Sequence, residues 1–269
     1  MKITYSNKYV AFIDVLGFTD LVYSNSKEKL EKYFEIVDMA FEIFGSHKKH
    51  LEKLAISDSI ILAVEGTPEN LKLLIQSIKT LQYFLARRDI WVRGGISYGE
   101  VYFNSNSKII VGKGFINAYL LEKEAKYPRV IIDPQILTKL DLTRRQFYDQ
   151  FNGQPNEYLT EGKLIHDYGL HNTPRNTEDD TFFVCYASKT ILKSSIDQPL
   201  LINEGEKDLD MVYNHIRKNL YNSQKHYSKY LWLKKYFHEA IYEYMQLMKN
   251  TDNVNYKYLD KMAIEFANL

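Results

Sequence analysis

The run Tyr9-Val10-Ala11-Phe12-Ile13 closes on Asp14 and continues through Val15 and Leu16. Residues 8–16 are nearly all apolar rather than alternating, the pattern of a central strand covered on both faces. A carboxylate at the end of such a run is costly to bury without a partner. The same arrangement recurs in Leu54-Ala55-Ile56-Ser57-Asp58-Ser59-Ile60-Ile61-Leu62, where the apolar runs 51–57 and 59–65 meet at Ser57-Asp58. Two carboxylates on neighbouring strands can share a divalent cation, which removes the burial cost. Mg²⁺ takes oxygen ligands and completes its shell with water and phosphate. Two such ions can activate a hydroxyl and hold a triphosphate leaving group. The pair Asp14 and Asp58 therefore points to metal-dependent phosphoryl chemistry on a nucleotide.

The elements follow in a readable order. Ser26 is placed to cap a helix that begins near Lys27 and carries Leu30, Tyr33, Phe34, Val37, Ala40, Phe41 and Phe44 at helical spacing. The hairpin at Ser57-Asp58 lacks the usual Asn-Gly or Asp-Gly turn. Thr67 caps the next helix, with Pro68 at its first position. Strands over 90–98 and 100–103, a turn at Asn104–Ser107, a helix over about 114–126 and a strand at Val130–Ile132 come next. The order is βαββαβ followed by αβ, an α+β, ferredoxin-like antiparallel sheet with helices on one face. Residues 144–180 are polar and irregular, 181–186 form one more strand, and a Tyr-rich helical pattern begins near Glu206. A domain over 1–190 and a helical extension over 191–269 are expected. The aromatic extension reads as core or a partner face.

Composition narrows the partners. The 269 residues carry a formal charge of +1, so no bulk attraction to nucleic acid or a membrane is expected. A single cysteine, Cys185, excludes an internal disulfide and a cysteine metal cluster. The N-terminus lacks the apolar segment of a signal peptide, and no apolar stretch nears the roughly 18 residues needed to span a bilayer. A soluble, cytoplasmic protein is expected. The histidines are scattered, with no H-E-x-x-H spacing, no P-loop and no G-x-S-x-G elbow.

Four ordered segments carry a family resemblance. Phe12 to Leu21 resembles the first metal motif of class III nucleotide cyclases, and Ser57-Asp58-Ser59 falls where that family has Gly-Asp on a hairpin. Arg93 to Glu100 resembles its next strand and turn, and Gly112 to Glu122 its following helix. The resemblance covers about residues 5–135. It is strongest to the Pycsar pyrimidine cyclases of bacterial anti-phage defence, through Ser57-Asp58-Ser59, Arg93-Gly94-Gly95-Ile96, Ala118-Tyr119-Leu120-Leu121-Glu122 and Pro128-Arg129.

The resemblance implies Asp14, Val15 and Asp58 as ligands of two Mg²⁺ or Mn²⁺ ions. Asp14 and Asp58 are thereby the catalytic carboxylates; Arg93, beside Gly94-Gly95 and suited to phosphate, reads either as a third catalytic residue or as one half of a structural ion pair. The nucleotide would meet Val15, Gly17, Phe18, Thr19, Leu54, Asn117 and Arg129, with a role in the fold as the alternative for Arg129 at the start of a strand. It also implies a head-to-tail homodimer with composite sites, Asp14 and Asp58 from one copy and the 90s strand with the 112–122 helix from the other. The product, 3′,5′-cyclic UMP first and cyclic CMP second, would act on a separate effector. The purine cyclases' base-reading lysine and aspartate fall here on Leu54 and Ile109, and their transition-state Asn and Arg on Ile116 and Leu120, with Asn117 one step away. A purine cyclase, a diguanylate cyclase-like transferase and a degenerate cyclase fold serving as a nucleotide sensor are the alternatives.

Overall fold

A computed structural model describes residues 3–24, 27–47, 51–153, 162–167, 181–195, 207–222, 224–249 and 254–269, with the side chains of 44–47 excepted. Ser26 lies outside the described residues. The chain divides into two compact units, Met1–Phe151 with Ile165–Val184, and Asn152–Leu164 with Cys185–Leu269.

The first unit is built on β1 (Ser6–Val15), β2 (Glu52–Ile56), β3 (Ser59–Glu65), β4 (Val92–Asn104), β5 (Ile109–Val111), β6 (Val130–Ile132), β7 (Ile165–His166) and β8 (Phe183–Val184). The sheet runs β2-β3-β1-β4-β6-β8-β7, with β5 pairing β4. The first four strands are antiparallel in the order β2-β3-β1-β4, which is the βαββαβ arrangement read from the sequence. The strand predicted in two pieces over 90–103 is one continuous strand, β4. It pairs along the whole of β1, from Ser6↔Val101 to Val15↔Val92.

The helices of this unit are α1 (Phe18–Tyr23), α2 (Lys27–His47), α3 (Pro68–Ala86), α4 (Lys113–Glu124), α5 (Gln135–Leu140) and α6 (Arg144–Asn152). Thr67 caps α3 as expected, its hydroxyl accepting from the Asn70 N–H at 3.4 Å. Together α2 and α3 bury Tyr33, Val37, Leu71, Leu74, Ile78 and Leu81. On the other face, Val10, Phe12, Leu54, Ile61, Ala63 and Val101 form a cluster closed by Ala118 of α4. The close fit of α4 depends on Gly95: a Cβ there would sit 2.7 Å from Leu121 Cβ and 3.0 Å from the Ala118 oxygen. From α4 the chain enters β6, which lies parallel to β4.

The polar stretch 144–180 was expected to be irregular, yet its first nine residues form α6. Thr143 and Gln146 build a reciprocal cap, with the Thr143 N–H donating to Gln146 Oε1 at 2.9 Å and the Gln146 N–H to Thr143 Oγ1 at 3.3 Å. Phe147 and Phe151, one turn apart, supply the buried side, and their rings meet at 4.5 Å.

The second unit contains α7 (Ala187–Ser195), α8 (Asp208–Leu220), α9 (Gln224–Leu247) and α10 (Tyr256–Asn268). Among the described residues it buries Tyr186, Tyr213, Tyr236 and Tyr244, while Tyr221, Tyr227 and Tyr242 are exposed. Tyr236 is fully buried and its hydroxyl accepts from the Ala187 N–H at 3.0 Å. Tyr258 donates to Asp210 and Tyr213 to Glu265, each at 2.8 Å, tying α8 to α10. Tyr213, Tyr236 and Tyr258 each give the hydroxyl an identified partner, which is how a tyrosine packed in a helical core stays satisfied. Among the described residues no helix is long and apolar enough to cross a membrane.

Candidate active site

Asp14 stands at the end of β1, directly across from Ser59 on β3 and Arg93 on β4. Cross-strand partners share a face, so Asp14 and Arg93 point to the same side of the sheet, the side that α4 covers. Asp58 lies one residue before Ser59, in the two-residue turn that joins β2 to β3. The Val15 N–H donates to the Asp58 carbonyl at 3.2 Å, which brings the end of β1 against the hairpin tip. Ser57, the first residue of that turn, has φ 56°, the left-handed conformation that glycine adopts without cost.

Burial first, and then the negative charges of Asp58 and Glu122, push the Asp14 carboxyl up to about 6; Arg93 opposes them. Those interactions define a group of four: Asp14, Asp58, Arg93 and Glu122. Glu122 is buried on α4 and its Oε1 forms an ion pair with Arg93 Nε. Glu122 lies within the Ala118–Glu122 motif, and its place in the site emerges only from the fold. Its signal lies in the spacing Gly114, Ala118, Glu122, a buried helix stripe that ends in a carboxylate.

The other expected residues fall into place as follows. Gly17 has φ 77° and ψ 19°, and α1 begins directly after it at Phe18. Leu21 is the first residue whose N–H returns to Gly17, so the Phe18 and Thr19 amides belong to the open first turn of α1. Leu54 is buried in the cluster of Phe12, Val10 and Ile61, with Phe103, Ile110 and Phe115 packed against it. Ile109, on the alternate side of β5, is exposed instead. Asn117 is half-buried on α4, about 140° around the helix from Glu122. Arg129 is only 1 % exposed; its Nε donates to the Ala125 carbonyl at 3.1 Å, and its guanidinium lies over the Tyr127 and Phe183 rings. Its main-chain oxygen accepts from Gly94 at 3.0 Å. Arg129 is thus turned inward, where it fixes β6 beside β4.

Two readings change with this geometry. Arg93 was expected to face Asp14 from a second copy, but one chain places them side by side on adjacent strands. Tyr33, read only as part of a helix stripe, reaches the hairpin: its hydroxyl donates to the Ser57 carbonyl at 3.2 Å. Burial, with Asp58 and Asp14 nearby, pushes its phenol far above the ordinary range, so it remains a donor.

Among the described residues no group of three or more His, Cys, Asp or Glu side chains is arranged to hold a metal. Two carboxylates and main-chain oxygen are what remain, and Mg²⁺ sites commonly use one or two carboxylates with substrate phosphate supplying the rest. Burial first, and then the neighbouring carboxylates, disfavour the charged Asp14, and a cation beside it would relieve both. The donor set fits a hard divalent ion.

Solved structures with a similar fold include the adenylyl cyclase CyaB from P. aeruginosa, at 12 % identity, TM-score 0.43, covering 68 % of this chain and 96 % of that one. The guanylyl cyclase Cya2 matches at 12 % identity and TM-score 0.44, over 68 % and 93 % of the two chains. A bacterial light-regulated adenylyl cyclase matches at 15 % identity and TM-score 0.43, over 81 % and 100 %. No protein-family model and no curated protein matches the sequence.

Proposed function

We propose that the protein is a pyrimidine nucleotide cyclase that converts UTP to 3′,5′-cyclic UMP and pyrophosphate. The observation that carries this reading is the meeting of Asp14 and Asp58 at the tips of adjacent strands, beside the Arg93–Glu122 pair. Asp14, Asp58 and the Val15 main chain would hold Mg²⁺ or Mn²⁺, two per site. The bound ions would supply a lowered pKa for the 3′-hydroxyl and neutralisation of the leaving pyrophosphate.

The chain's own groups do the rest. Arg93 pairs through Nε with Glu122, which would leave its Nη groups for a phosphate. A fixed guanidinium costs no reorganisation when charge develops at the α-phosphorus. The Gly17 turn offers the Phe18 and Thr19 amides to the β- and γ-phosphates, as other glycine turns do. The 3′-oxygen forms its bond to the α-phosphorus in line with the departing pyrophosphate.

Base preference follows from Leu54. It belongs to the buried cluster that includes Phe12 and Ile61, against which Phe103, Ile110 and Phe115 pack, and none of these side chains offers a hydrogen bond to a purine edge. A site without the pairing groups gives up the discrimination that purine readout needs. UTP is the first choice and CTP the second. In this reading the cyclic nucleotide is a second messenger of anti-phage defence, sensed by a separate effector. A homodimer is proposed in which α4 of each copy, exposing Ile116, Tyr119 and Leu120, closes the partner's site. The same apolar face, standing where a polar transition-state pair would be, favours the second reading, a nucleotide-sensing module without turnover.

The test is product formation from UTP with Mn²⁺. Asp14→Asn and Asp58→Asn should each lower the rate about 10³-fold or more while melting remains cooperative. Unchanged turnover in either variant removes the metal-site assignment.

A further inference from the structure

Tyr33 is fully buried on α2, and its two ends touch the two segments on which the site depends. The hydroxyl donates to the Ser57 carbonyl at 3.2 Å. The ring meets Phe18, the residue after the Gly17 turn, edge-on at 5.7 Å and 66°. We propose that Tyr33 is the positioning residue that fixes the direction of Asp58 and joins the hairpin tip to the Gly17–Thr19 turn, a role that rests on the metal-site reading above.

The physical reason lies in the peptide plane. The Ser57 carbonyl and the Asp58 N–H belong to one rigid unit. Pinning the oxygen therefore fixes how the chain enters Asp58. The following unit is pinned as well, because the Asp58 carbonyl accepts from the Val15 N–H at 3.2 Å. Asp58 is held on both sides, by a side chain before it and a strand end after it. Ser57 has φ 56°, a conformation a non-glycine residue keeps only where its surroundings impose it. Without the hydroxyl, the Ser57–Asp58 plane can rotate and carry the carboxylate with it.

Tyr33→Phe deletes the hydroxyl and keeps the ring packing, so the variant should melt cooperatively. In the metal-free protein, amide exchange over residues 57–59 should quicken roughly three- to tenfold, the range of one lost neutral hydrogen bond, while β1 and β4 stay protected. Mn²⁺ affinity, read by spin-resonance titration, should weaken by a similar factor. The turnover number should fall while the KM for UTP changes less than about twofold. Unchanged exchange at 57–59 together with unchanged Mn²⁺ affinity would overturn the proposal. Wild-type protein that neither binds Mn²⁺ nor forms product would instead defeat the metal-site reading, and the exchange measurement would still judge Tyr33.

Discussion

Ser57 holds a left-handed backbone, φ 56°, that its Cβ disfavours. Ser57→Gly should therefore stabilise the protein by about 1 kcal/mol, checked by chemical denaturation of the metal-free chain; a loss of stability would show that the serine side chain compensates. Asp14 has the opposite relation between function and stability. Its folded-state carboxyl titrates at about 6, above its ordinary value of 3.8. Between those values the folded state binds more protons than the unfolded one, so stability falls as pH rises through the interval and the loss is complete above about 6. Asp14→Asn should flatten that slope and raise stability at neutral pH by up to about 1 kcal/mol after allowing for solvent screening, although it abolishes turnover. A pH series of thermal melts checks this, and an unaltered slope would contradict it. Asp14 and Asp58 were legible because a carboxylate inside an apolar run has few explanations. Glu122 was less so, since a helix stripe disperses the same signal over about two turns. Arg129 reads as a phosphate ligand or as a residue of the fold because sequence shows charge but not direction; its interior stacking on Tyr127 and Phe183 depends on a fold the local residues do not specify.

Among the elements, β1, the hairpin of β2 and β3, and α3 could be read directly, because continuous apolar runs and the Thr67-Pro68 start are local signals. The strand β7 could not, since two residues carry no period, and its place is set by pairing with β8. The helix α6 was hidden by its polar composition, although Thr143 and Gln146 marked its start. The seating of α4 was half legible: Gly94-Gly95 implied a close approach, and the structure shows that for Gly95 the visitor is a helix rather than a ligand. Gly95→Ala should push α4 away from β4 at a cost of roughly 1–3 kcal/mol, the usual range for overpacking. Because Glu122 moves with α4, turnover should fall more steeply than stability. Equilibrium unfolding and kinetics on one preparation check this; wild-type values in both would show that α4 shifts without cost.

At the scale of the whole molecule, Ile116, Tyr119 and Leu120 form an exposed stripe on α4 among the described residues. Leu120→Glu should shift a dimer toward monomer in sedimentation and lower activity with it; an active monomeric wild type would remove the composite site. Since Asp14 and Arg93 are neighbours within one chain, mixing Asp58→Asn with Arg93→Ala chains should give no recovery, because neither site then carries an intact half. Recovery would place Arg93 in the partner's half. The central claim is chemical. The purified chain should be incubated with equal concentrations of ATP, GTP, CTP and UTP and with Mn²⁺, and the products separated by mass. Cyclic UMP should dominate, with cyclic CMP second. No cyclic nucleotide from any of the four would contradict the cyclase account.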